Sequence, residues 1–298
     1  MGAGAVWSRR TMRRLPTAIR LLLAAFALVA VACSPAGVPS PSEASASIWG
    51  LDRPPGDRIL QVAVEGGSSE RTDLLTRLPV FVIYADGSLL APGRLEGVNP
   101  MIRPLMRLRV PPTHRERVDE LVAEMGLREV DRIIDEPLPG TLVDGSTMVA
   151  TYFDEDGRAR AYGAYGLSPQ TAVPLPPEIG FLPGTNTLAE LASMFSQAGA
   201  DAAAVPYEPE RIQLFLTRPT SADEASPWPL DILPSAFVSS PDDGVQCLVV
   251  TGPPARDAAA ALAATGRNVI FEHEEEQIWL LARVLVPGEP GCGPEVRQ

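Results

Sequence analysis

The 298-residue chain is 45% apolar and carries 37 acidic against 25 basic side chains, a formal net charge of −12. That excess of negative charge argues against nucleic acid as a partner, since binding phosphates requires basic clusters. Its 31 prolines, about double the ~5% of an average chain, favour loops and short strands over long helices.

The chain opens on an export signal. Arg9, Arg10, Arg13, Arg14 and Arg20 precede an uncharged run, residues 21–32, and no acidic residue occurs before Cys33. A cationic start, a short apolar stretch and small residues at its end define a secretory signal peptide over residues 1–32. As a helix the run measures roughly 18 Å against roughly 30 Å of bilayer hydrocarbon, too short for a permanent span. Ala30-Val31-Ala32 suits ordinary signal peptidase, while Val29 to Cys33 resembles the lipobox of bacterial lipoproteins. Both readings cut after Ala32 and differ in the fate of the Cys33 sulfur. The cysteine count favours acylation: of Cys33, Cys247 and Cys292, lipidation removes the odd one and leaves a pair. Two or three acyl chains anchor stably where one is marginal. Arg9-Arg10 after Ser8 hints at twin-arginine export, but Arg13 stands where a second apolar residue belongs. Without the five arginines of residues 1–32 the net charge falls from −12 to −17, so membrane attachment rests on the lipid alone.

Residues 33–57, rich in Pro, Ser, Ala and Gly, read as a disordered tether with Trp49 either docked or exposed. Order is expected from Arg58. "RILQVAVEGG" has the β-branched content and Gly-Gly stop of a strand. "PVFVIYADGSLLAPG" is a hairpin turning at Asp86-Gly87, and "MRLRV" alternates as a further strand. Thr113 and Glu116 have the spacing of a capping box, with Val118, Leu121, Val122 and Met125 on one face and Gly126 at the C-cap. "STMVATYFDEDGRARAYGAYG" is a second hairpin, turning at Asp156-Gly157. The Pro-rich "SPQTAVPLPPEIGFLPGTN" is the best internal boundary, dividing residues 58–170 from 187–292 unless 58–292 form one domain. Thr187 and Glu190 give another capping box, opening a helix that closes at Gly199. "ERIQLFLTR" and "GVQCLVVTG" are strands, Pro253-Pro254 open an Ala-rich helix closing at Gly266, and "NVIFEHEEEQIWLLARVLV" is a final hairpin. Hairpins alternating with single capped helices predict an α+β fold, mainly antiparallel.

The phrases "ILQVAVEGG", "FVIYADGSLLAPG", "WPLD", "CLVVTG" and "RVLVPGEPGCG" resemble an uncharacterised family of secreted or lipid-anchored proteins from high-GC bacteria. The resemblance spans nearly all of the exported part and implies export and fold kinship. It carries no functional residue.

Chemistry is sparse. His114 follows a predicted helix cap and is expected in solvent. His273 lies among glutamates that repel one another, which points to a hairpin turn. There is no HExxH, no Cys/His cluster of zinc spacing and no GxSxG elbow. "DEDG" at 154–157 lacks the preceding and following ligands of a calcium loop and reads as a turn. "VVTGPPARDAAAA" lacks both Gly-rich phosphate fingerprints. Trp228 and Trp279 sit among apolar residues, as core rather than as a sugar platform. Carboxylates are too numerous to single out a catalytic pair. Outside the cytoplasm Cys247 and Cys292 should form a disulfide that staples the otherwise unsupported C-terminal tail. The expected protein is anchored at the cell membrane through lipid on Cys33, on its extracytoplasmic face. It needs no cofactor or metal, and its role is non-catalytic, binding an envelope protein or glycan. The rival reading is a secreted hydrolase using carboxylates or a motif-free triad.

Overall fold

A computed structural model describes residues 47–49, 53–54, 56–67, 71–95, 100–135, 145–167, 183–219, 224–239, 245–267, 269–292 and 295–296. All lie in one compact unit, Ser47–Gln298. The signal segment, Cys33 and the Pro-rich stretch up to residue 182 lie outside the described residues.

The fold is α+β, with two mixed sheets. The first contains β1 (Arg58–Gly66), β2 (Phe81–Tyr84), β3 (Ser88–Pro92), β4 (Leu105–Arg109), β5 (Arg132–Asp135), β6 (Ser146–Phe153), β7 (Ala159–Tyr165) and β8 (Val205–Pro206), in the order β5-β7-β6-β1-β2-β3-β4-β8. The second contains β9 (Arg211–Thr217), β10 (Ser226–Pro227), β11 (Val238–Ser239), β12 (Gln246–Thr251), β13 (Ile270–His273) and β14 (Glu276–Val284), in the order β10-β13-β14-β9-β12-β11, with β15 (Glu295–Val296) also on β12. Pairing is antiparallel except for β5 with β7, β10 with β13 and β12 with β15. The helices are α1 (Arg71–Thr76), α2 (Pro112–Glu124), α3 (Pro183–Phe195) and α4 (Pro253–Ala263).

The expected hairpins form where the turn chemistry puts them. Asp86 Oδ1 accepts the Ser88 amide at 2.7 Å between β2 and β3, and Asp154 Oδ1 accepts the Arg158 amide at 2.8 Å between β6 and β7. Packing reaches back into the segment expected as a tether. Ile48 is 1% exposed, its amide donates to Asp119 Oδ1 at 2.8 Å, and the Trp49 indole donates to the Arg115 carbonyl at 3.1 Å.

Two large cores flank the first sheet. One holds Leu60, Val62, Phe81, Ile83, Leu89 and Met148 against Val118, Leu121 and Val122 of α2 and Leu188, Leu191 and Phe195 of α3. The other joins Val82, Tyr84 and Leu90 to Ile212, Leu214, Leu248, Leu280 and the alanine face of α4. Every residue of β2 is therefore buried, which is why its sequence is a continuous apolar run rather than an alternation. The chain crosses between sheets at residues 207–210, and α3, read in sequence with the C-terminal part, packs in the core of the first sheet.

Neither capping box forms. Helix α2 starts at Pro112 with Pro111 as N-cap and no side-chain cap bond, because proline at the first position supplies a helical φ and has no amide to satisfy. Its other end follows expectation: Gly126 has φ +67°, and Leu127 N donates to Val122 O at 3.2 Å in a Schellman closure. Helix α3 begins at Pro183, so Thr187 and Glu190 fall inside it, and the helix ends at Phe195, with Gly199 in a following 3-10 turn, Ala198–Ala200. Both side chains reach across to α2: Thr187 Oγ1 donates to Glu124 Oε2 at 3.2 Å, and Glu190 takes a two-pronged bond from Arg117 at 2.6 and 2.7 Å. Arg117 also holds Glu120 at 2.8 Å and Glu124 at 3.0 Å. This fork draws the Glu190 carboxyl below its ordinary 4.5. A lowered carboxylate stabilises the fold above the unfolded-state value, and that contribution is lost as pH falls through the folded-state one. Arg117→Met should therefore cost about 1 kcal/mol at neutral pH, the upper end for exposed pairs. The gap between variant and parent urea midpoints should narrow as pH falls below about 4.5.

Candidate functional site

The described residues shape three adjoining hollows, the first two at the junction of the two sheets, all lined by Leu95, which is 40% exposed. The first, about 450 Å³, is lined by Arg77, Arg103, Arg267 and Arg283 with Asp73 and Thr76. Among the described residues, four guanidinium groups and one carboxylate line this hollow, on a chain whose overall charge is −12, and a second carboxylate, Glu289, pairs with Arg283.

Separate elements hold each arginine still. Arg77 follows α1 and donates to the carbonyls of Val64 at 3.1 Å and Gly66 at 2.9 Å, at the end of β1. Arg267, beyond α4, uses Nη2 on Asp73 Oδ1 and, at 2.6 Å, on Thr76 Oγ1. Arg283 on β14 gives Nε to Gln213 Oε1 at 2.9 Å and pairs with Glu289 at 2.9 Å. Arg103 is placed differently. Its Nε and Nη2 both donate to the Gly93 carbonyl at 3.3 Å, it has no carboxylate partner among the described residues, and burial lowers its pKa. Arg103 Nη1, Arg267 Nη1 and Arg283 Nη2 have no acceptor among the described residues, so donors remain for an anion.

The second hollow, about 780 Å³, is mostly apolar. Ile102, Leu105, Tyr207, Ala259, Ala260 and Val284 line it, and its charged lining is balanced, Arg94 and Arg256 against Glu208 and Asp257. Both volumes lie in the ~300–1,000 Å³ range of small-molecule sites. Residues 100–102 run along both hollows and are fixed in place: Pro100 bridges to Gly266, and the Met101 amide donates to the Thr265 carbonyl at 2.7 Å. At the third hollow a Cβ on Gly199 would collide with the Pro92 carbonyl, so only glycine lets the 3-10 turn approach β3 so closely.

The residues singled out in sequence lie elsewhere. Cys33 is outside the described residues. Cys247 and Cys292 come together at a Cα–Cα distance of 6.2 Å, within disulfide reach. The tail has more support than expected: Arg58 bonds Gly288 O at 2.7 Å, Arg211 bonds Glu289 O at 2.7 Å, and β15 pairs with β12. His114 is half-buried and edge-on to Phe195, with ring centroids 6.1 Å apart, rather than solvated. His273 sits beside the 274–275 turn and faces Trp228 at 6.2 Å, so the two histidines belong to different cores. Trp228 packs between the sheets and donates to Ile232 O at 2.8 Å, whereas Trp279 lies on the other face of the second sheet with Phe215, Leu281 and Cys292, so the two indoles form no common platform. No group of three His, Cys, Asp or Glu side chains able to hold a metal occurs among the described residues, and no described helix is long and apolar enough to cross a membrane.

Sequence reasoning missed the arginine cleft, because Arg77 and Arg283 are 206 positions apart and only the meeting of the two sheets joins them. Comparisons of the chain with family models, curated proteins and solved structures find no match.

Proposed function

We propose that this is a lipid-anchored extracytoplasmic protein whose folded unit binds a ligand or an envelope partner and carries out no chemistry on it. The observation that carries the reading is the order of five arginines, a short apolar run and Cys33 ahead of a Pro/Ser-rich segment. A net charge of −17 beyond residue 32 supports attachment through acyl chains, since the folded part is repelled by anionic lipid. The hollows support the binding role: four guanidinium groups line the first and mostly hydrocarbon lines the second, groups suited to holding a solute. Mass spectrometry of the native N-terminal peptide tests the anchor. The expected product begins at Cys33 with a diacylglycerol thioether; an unmodified Cys33, or a retained 1–32 segment, overturns it.

A further inference from the structure

We infer that the cleft between the sheets takes one amphipathic anion, with its phosphate or carboxylate head among Arg77, Arg103, Arg267 and Arg283 and its apolar body in the adjoining hollow. This rests on the binding role proposed above and specifies its ligand.

Three observations carry it. The head site has more positive than negative lining charge, and the spare donors on Arg103, Arg267 and Arg283 belong to side chains already fixed by other bonds. Pre-oriented guanidinium donors of this kind bind carboxylate and phosphate through charge-assisted bonds with little ordering cost. Next, Leu95 and Pro100 line both hollows, which sets the two side by side within reach of one elongated ligand. The larger hollow offers Ile102, Leu105, Ala259, Ala260 and Val284 to a hydrocarbon chain. Last, the strongly negative chain disfavours approach to an anionic bilayer, which selects a free amphiphile over a membrane headgroup.

The test uses the full chain carrying Cys33→Ser, which cannot be acylated, in detergent-free buffer. Calorimetric titration with octyl phosphate, inorganic phosphate and octanol should place octyl phosphate at least about tenfold tighter than either other probe. Arg103→Gln should weaken both phosphates about tenfold and leave octanol unchanged. Ala260→Trp, on the exposed face of α4, should abolish the advantage of the octyl chain and leave inorganic phosphate unchanged. Equal affinity for the two phosphates overturns the apolar half of the inference, and no binding of either overturns the site. Release of phosphate from bound octyl phosphate would instead keep the site and overturn the non-catalytic role. Co-sedimentation with phosphatidylglycerol vesicles but not phosphatidylcholine vesicles would overturn the choice of a free solute.

Discussion

Phe81→Ala should destabilise the protein by about 3–5 kcal/mol, a large share of the ~5–15 kcal/mol that holds a typical domain folded. Phe81 is 0% exposed, and its ring lies 4.9 Å from that of Phe195, inclined by 60°. Removing it deletes a large apolar group and a tilted aromatic contact together. Relaxation into the gap is limited, because β2 is covered on both faces and paired to β1 and β3 on its two edges. Urea denaturation followed by circular dichroism measures the loss. Val205→Ala is a control, since Val205 is 56% exposed and should change stability by no more than about 0.5 kcal/mol. A cost below about 1 kcal/mol for Phe81→Ala would mean that α3 is not packed on the first sheet as described.

Replacing Cys247 and Cys292 together with alanine should remove about 4 kcal/mol, the chain-entropy value for cross-linking positions 45 apart. That stabilisation acts through the unfolded chain. The bonds from Arg58 and Arg211 to the 288–289 turn, which persist in the folded variant, therefore do not diminish it. Alanine is the better probe at Cys247, which is 5% exposed and packs with Phe215 and Leu281, because serine would bury a hydroxyl. The double variant and the dithiothreitol-treated parent should show nearly equal urea midpoints, both well below that of the oxidised parent. Two thiols titrating in the denatured, unreduced parent would defeat the expectation.

The hairpins were legible because their turns are set by local chemistry. Asp86-Gly87 and Asp156-Gly157 name their own conformations, with φ of +79° and +75° at the glycines. Helix starts were legible only in part. Thr113-x-x-Glu116 and Thr187-x-x-Glu190 match a cap in spacing, but Pro112 and Pro183 begin their helices upstream, and Thr187 and Glu190 serve the α2–α3 contact instead. The short strand β5 went unread: its four residues gain a partner only through parallel pairing with β7, a non-local event. The cleft was illegible for the same reason, since arginines from four separate segments carry no common spacing.

The way β2 and β3 serve both cores has a consequence for dissecting the molecule. Val82, Tyr84 and Leu90 belong to the first sheet in sequence but to the second sheet in packing. Half-molecules made by severing the chain at 207–210 would each expose a bare hydrocarbon wall and should precipitate rather than fold. Genetic complementation between such fragments would therefore succeed only if both were made in the same compartment at the same time.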